Sequence, residues 1–139
     1  MADFISFQEG RKELASNGLP STCYFLLSTK PCSGGGALAS SDTLAGGVGE
    51  ISGTGYGRQS QSEPTPTTAD PTALVFSQMT WATGSATDWP SSVKSVVLVT
   101  SSDNSGKAIC GWNLQTGGTA RDLSGANTTE LFTPTLNVA

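Results

Sequence analysis

Few side chains in this chain could do chemistry, and they are scattered. Three thiols (Cys23, Cys32, Cys110) and eleven Asp and Glu carboxylates are present, but there is no histidine. That absence removes Ser-His-Asp and Cys-His catalysis, imidazole-bound zinc and the usual proton shuttle near neutral pH. The carboxylates are spread one by one, so no glycosidase-like pair is set up locally. Glycines around 47–57 do not form a G-x-G-x-x-G that opens a helix. Gly106-Lys107 is followed by Ala108 where a phosphate loop needs Ser or Thr. Asp103-Asn104-Ser105 offers oxygens but falls far short of a calcium loop and reads as a turn. Asn127-Thr128-Thr129 fits a glycosylation pattern, which carries little without a secretory leader. The expectation is a protein with no catalytic residues, no metal ligands and no cofactor.

The elements around these residues are mostly strands. Only 13% of the 139 residues are charged, against about 25% in an average domain, while Gly, Ser and Thr abound. Such a balance suits short strands joined by many turns, and the length suits one domain spanning 1–139. The organising stretch runs from Trp89 to Leu114. Val96-Val97-Leu98-Val99 and the run from Ala108 bracket the polar turn 103–106, which predicts an antiparallel hairpin. Alternation places Val93, Ser95, Val97 and Val99 on one face of its first strand and Val96 and Leu98 on the other. Both faces are apolar, so the strand should lie inside a sheet covered on both sides.

Before it, Ser6 and Glu9 have capping-box spacing for a short helix over 6–17, stopped by Asn17-Gly18 and Pro20. Thr22 to Thr29 reads as a strand with Tyr24 and Leu26 on one face and Cys23, Phe25 and Leu27 on the other. Residues 31–57 form a long glycine-rich loop with one short strand expected at Val48 to Ser52. Further strands are expected over Tyr56 to Gln61, Leu74 to Trp81 and, at an edge because of Pro134, from Thr129 onward with Phe132, Leu136 and Val138 on one side. The predicted fold is all-β, a single jelly-roll-like β-sandwich of about six to eight strands with one N-terminal helix. Cys23 and Cys110 fall inside strands, and all three cysteines read as free thiols. A net charge of −4, with seven Lys and Arg placed singly, offers no phosphate-binding stripe. No run approaches the ~20 apolar residues that span a bilayer. Protein partners are expected rather than nucleic acid or membrane, with synthesis in the cytoplasm.

The order of motifs resembles a group of small virion proteins of tailed bacteriophages. It runs from a short helix through the strand Tyr24-Phe25-Leu26-Leu27-Ser28-Thr29 and a Gly-rich loop to Gly55-Tyr56-Gly57-Arg58. Leu74-Val75-Phe76 follows, then Trp89-x-x-x-Val93 leading into a strand pair whose turn ends at Gly106. The likeness covers Phe7 to about Leu114, with Trp89-Pro90 standing where Trp-Gly is more usual. It implies a structural role in the virion: a capsid decoration or cement protein bound to the major capsid protein or other virion proteins, or alternatively a tail-fibre, tail-tip or host-attachment component. A homo-oligomer is expected, a trimer by analogy with virion symmetry. The expected contact surface comprises the N-terminal residues, including Phe4 and Phe7, and the loop 31–57 with Gly34, Gly35, Gly36, Gly53, Gly55, Tyr56 and the adjoining Arg58. The loop is expected to drape over a neighbouring subunit.

Overall fold

The computed structural model describes residues 3–66 and 73–137. Its centre is a five-stranded antiparallel sheet in the order β1-β7-β6-β2-β3, built from β1 (Phe4–Ser6), β2 (Thr22–Ser28), β3 (Gln59–Ser62), β6 (Ser95–Val99) and β7 (Ala108–Asn113). The expected hairpin is the β6–β7 pair, and every residue of both strands is buried. Alternation sorts the central side chains as the sequence predicts. Phe25, Leu27, Val96, Leu98, Cys110 and Trp112 enter one apolar cluster, while Leu26, Val97, Val99 and Ala108 enter a second on the opposite face. Two details depart from strict alternation. Leu98 pairs with Cys110 and Val99 with Ala108, which leaves Ile109 as the extra residue of a bulge and turns it into the first cluster. Val93 lies before the strand, bridges to Arg121 and joins the first cluster instead of following Val97 and Val99.

A long bent ribbon covers the first face. β4 (Ala73–Val75) and β5 (Met79–Ala82) run antiparallel to β9 (Thr135–Asn137) and β8 (Thr129–Phe132). Residues 76–78 stand opposite 133–134 at the joint, where the Phe76 N–H donates to the Pro134 carbonyl. The strand expected over Leu74 to Trp81 is therefore two strands. The one-residue mismatch changes the phase, so Leu74, Phe76, Met79 and Trp81 all face inward while Val75 is exposed. Proline 134, which cannot donate to a ladder, sits at the break. The result is an all-β, sandwich-like architecture with one helix. Nine strands occur among the described residues, more than expected, because two expected strands are interrupted and β1 had no strong local signal. Val138, expected on one side of the last strand with Phe132 and Leu136, lies outside the described residues, as do Met1 and Ala2 of the expected N-terminal contact.

The second face is covered from within the chain, by the glycine-rich excursion. Leu38, Leu44 and Val48 are buried against Leu26, Val97 and Val99. No strand forms at 48–52; a single bridge joins Ser28 to Glu50, and the Ile51 N–H donates to the Leu27 carbonyl. The loop therefore folds back on its own sheet through Leu38, Leu44 and Val48. These three side chains join Phe7 and Ala108 in one cluster over that face.

The helix α1 (Gln8–Asn17) starts with Phe7 at its N-cap and no side-chain cap. The expected capping box is absent. Glu9 instead accepts the backbone N–H groups of Leu44 and Ala108 at 2.8 and 2.7 Å, and the Ser6 hydroxyl accepts from Arg11. A partly buried carboxylate facing two strand and loop amides satisfies more than a helix end already open to water. Gly10 lies against the backbone of Ala108 and Ile109, with no space for a Cβ. The helix ends at Gly18, at φ 71°, as the Asn17-Gly18 pair predicts.

Candidate functional site

The glycine-rich excursion ends in a clasp built on Arg58. Its Nε and Nη2 donate to the two oxygens of Glu50 at 2.9 and 2.8 Å, the paired geometry in which guanidinium and carboxylate bind most strongly. Nη1 donates to the carbonyls of Ser101 and Asp103, and Nη2 also to the side-chain oxygen of Asn104. These five bonds use all five N–H groups of the guanidinium. The side chain is 6% exposed, and its bond to Glu50 raises its pKa further. Arg58 thereby ties three separate stretches together: the loop at Glu50, the start of β3, and the turn of the β6–β7 hairpin.

Tyr56 completes the clasp. Its hydroxyl donates to Glu50 Oε2 at 2.9 Å and accepts the Leu27 N–H at 3.1 Å. Burial pushes the phenol above its ordinary range, so it remains a donor. Its ring meets Trp89 edge-on at 5.5 Å. Trp89 Nε1 donates to the Thr54 carbonyl, and both oxygens of Asp88 accept from Thr54, at its N–H and its hydroxyl. Gly53 is needed where it is, because a Cβ there would enter the Trp89 indole. A shallow hollow of about 510 Å³ lies above, lined by Ser52, Gly57, Ser102, Asp103 and Asn104 among others.

The expected contact residues thus separate. Gly34, Gly35, Gly36 and Gly55 are exposed at turn tips, whereas Gly53, Tyr56 and Arg58 are held inward. Phe7 is fully buried among Leu26, Leu38 and Val97, so it has no surface for a partner, a correction forced by the loop closing over it. Phe4 is 40% exposed. It stacks edge-on to Trp112 at 5.8 Å beside a groove of about 470 Å³ lined by Asp3, Phe4, Trp112, Thr135, Leu136 and Asn137. Sequence reasoning missed Glu50, Asp88 and Trp112 as site-forming residues. For Glu50 a signal existed: a lone carboxylate eight residues before an arginine, in a stretch otherwise without charge.

No family model, curated protein or solved structure matches the chain. Its reading therefore rests on these side chains. The three cysteines are buried and free. Burial pushes the Cys23 thiol up to about 11 and Cys32 to about 12, and raises Cys110 further, which keeps all three protonated and poorly nucleophilic near neutrality. Among the described residues no three Cys, Asp or Glu side chains converge as metal ligands.

Proposed function

We propose that this chain is a non-enzymatic structural protein of a tailed-phage virion, a capsid decoration protein that binds and stabilises the major capsid lattice. The observation that carries the reading is the saturation of Arg58. The cation best suited to hold an anionic ligand has every N–H committed inside the fold. What faces outward is a set of open strand edges and the single apolar side chains of Phe4, Val75 and Leu131. Surfaces of that kind gain binding energy from apolar burial and backbone pairing with another protein. The motif order around Tyr24–Thr29, Gly55–Arg58 and Trp89–Gly106 supports the virion assignment, and assembly as a symmetric homo-oligomer, a trimer on the virion analogy, goes with it.

Counting the chain in purified particles, with and without its gene, tests the reading. A copy number matching the capsid lattice, and gene-deleted capsids that lose stability while adsorption is unchanged, are the expected results. A few copies per particle, with intact capsids that no longer adsorb, would move the protein to the tail. Absence from particles would end the virion reading altogether.

A further inference from the structure

The two layers of the fold approach one another differently at their two sides. On one side β3 meets the ribbon, where Gln61 Nε2 reaches the Ser77 carbonyl. On the other, β1 and β9 flank the groove over Trp112 and Leu136, spanned by the bond from Trp112 Nε1 to the Thr135 carbonyl. The ladder pattern fixes which backbone groups look into this gap. The Asn113 N–H donates to Asp3 and the Phe7 N–H to Ile109, so Asp3, Ile5 and Phe7 are the hydrogen-bonded residues facing β7. In an antiparallel ladder the intervening residues point their N–H and C=O the other way. Ser6 gives its carbonyl to Arg11, but Phe4 presents both groups outward. The Phe76 to Pro134 bond sets the same alternation in the ribbon and turns the backbone of Thr135 and Asn137 away from β4. Neither proline nor lysine guards β1, as edge strands commonly require.

Among the described residues, the only charge lining the groove is the Asp3 carboxylate. Both hydrogen bonds it accepts, from Asn113 Nδ2 at 2.9 Å and the Gly117 N–H at 2.7 Å, go to Oδ1. Among the described residues Oδ2 has no partner. These bonds lower its pKa, so the rim stays negative near neutrality.

We propose that the outer edge of β1 docks an extended segment of a partner protein as a further strand, with an apolar side chain of that segment over Trp112 and Leu136 and a neighbouring Lys or Arg against Asp3. Outward amide and carbonyl groups select a polypeptide backbone, the apolar floor selects one side chain in alternation, and the Asp3 carboxylate selects a basic side chain beside it. Which protein supplies the strand follows from the virion reading; the surface itself does not depend on it.

The test uses the full chain, isotopically labelled, titrated with a short end-blocked peptide alternating Lys and Val, and with its counterpart carrying Glu for Lys. The basic peptide should slow exchange of the Phe4 amide at least about tenfold, and the acidic one should leave it unchanged. Phe4→Pro removes the outward N–H without touching the β1–β7 bonds and should abolish binding. Asp3→Asn keeps the oxygen that Asn113 and Gly117 use and removes the charge, and should erase the preference for the basic peptide. Equal binding of the two peptides, or an unchanged Phe4 amide, overturns the proposal. Phe4 protection that appears without peptide as protein concentration rises overturns it too, in favour of a second copy at this edge. Particle composition plays no part in these measurements, so they fail or succeed separately from the virion assignment.

Discussion

Arg58 and Glu50 meet through two parallel hydrogen bonds of 2.9 and 2.8 Å, with Tyr56 donating to the same carboxylate. The Arg58 side chain is almost wholly buried and that of Glu50 about one-quarter exposed. Removing one member of such a pair leaves the other desolvated without a partner, which costs more than the intact pair contributes. Arg58→Ala should destabilise the chain by about 2–3 kcal/mol. Glu50→Ala should cost a similar amount, and the double variant little more than the worse single one. Urea denaturation of the three variants measures this directly. Additive losses would mean that the two side chains act independently.

Gly10 offers a test in which two effects oppose each other. Alanine is the better helix former by about 1 kcal/mol. Here, however, its Cβ would fall 2.5 Å from the Ala108 carbonyl oxygen and against the Ile109 Cα, both rigid backbone atoms. Separation of α1 from β7 should win, with a net loss of about 1–3 kcal/mol and a lower melting temperature. A more stable Gly10→Ala would show that the helix is free to shift.

Acid should destabilise the fold through four turn carboxylates. Hydrogen bonds hold Asp3, Asp88, Asp103 and Asp122 below the ordinary carboxylate range: Asn113 and Gly117 for Asp3, Thr54 for Asp88, Ser105 for Asp103 and Ser124 for Asp122. A group whose pKa is lower when folded contributes stability that is complete above its unfolded value of about 3.9 and is lost as pH falls through the folded value. Thermal melts should therefore change little through these groups between neutrality and about pH 5, then decline below about pH 4, modestly because all four groups are exposed to solvent. Melts that stay level or rise in that acid range would contradict the assigned bonds.

The thiols should be silent until the chain unfolds. Burial raises all three pKa values, to about 11 for Cys23 and about 12 for Cys32, with Cys110 also raised. Native protein at pH 8 should react with a thiol reagent at least about a hundredfold more slowly than a free cysteine. All three should react at once in strong denaturant. Rapid labelling of any of them in the native state would place it in an open environment.

Much of the central sheet was legible in the chain alone. Val96–Val99 and Thr22–Ser28 are apolar on both faces, and only a strand covered on both sides satisfies that pattern, so the pairing of β6 with β7, the burial of β2 and the sorting of side chains between the two faces follow from local alternation. The helix stop at Gly18 is local too. What tertiary structure decided are the relationships between residues far apart in sequence. Leu38, Leu44 and Val48 have no periodicity that marks them as core, and they become core only because the sheet leaves an apolar face for them to cover. Glu9 looks like a capping residue until the amides of Leu44 and Ala108 arrive beside it. Tyr56 and Arg58 have the composition of contact residues, and Glu50 and the turn at Ser101–Asn104 draw them inward. A side chain's alternation is set by its own backbone and can be read from its neighbours in sequence. Its hydrogen-bond partner is set by which distant polar group would otherwise be buried unpaired, and only the assembled fold determines that.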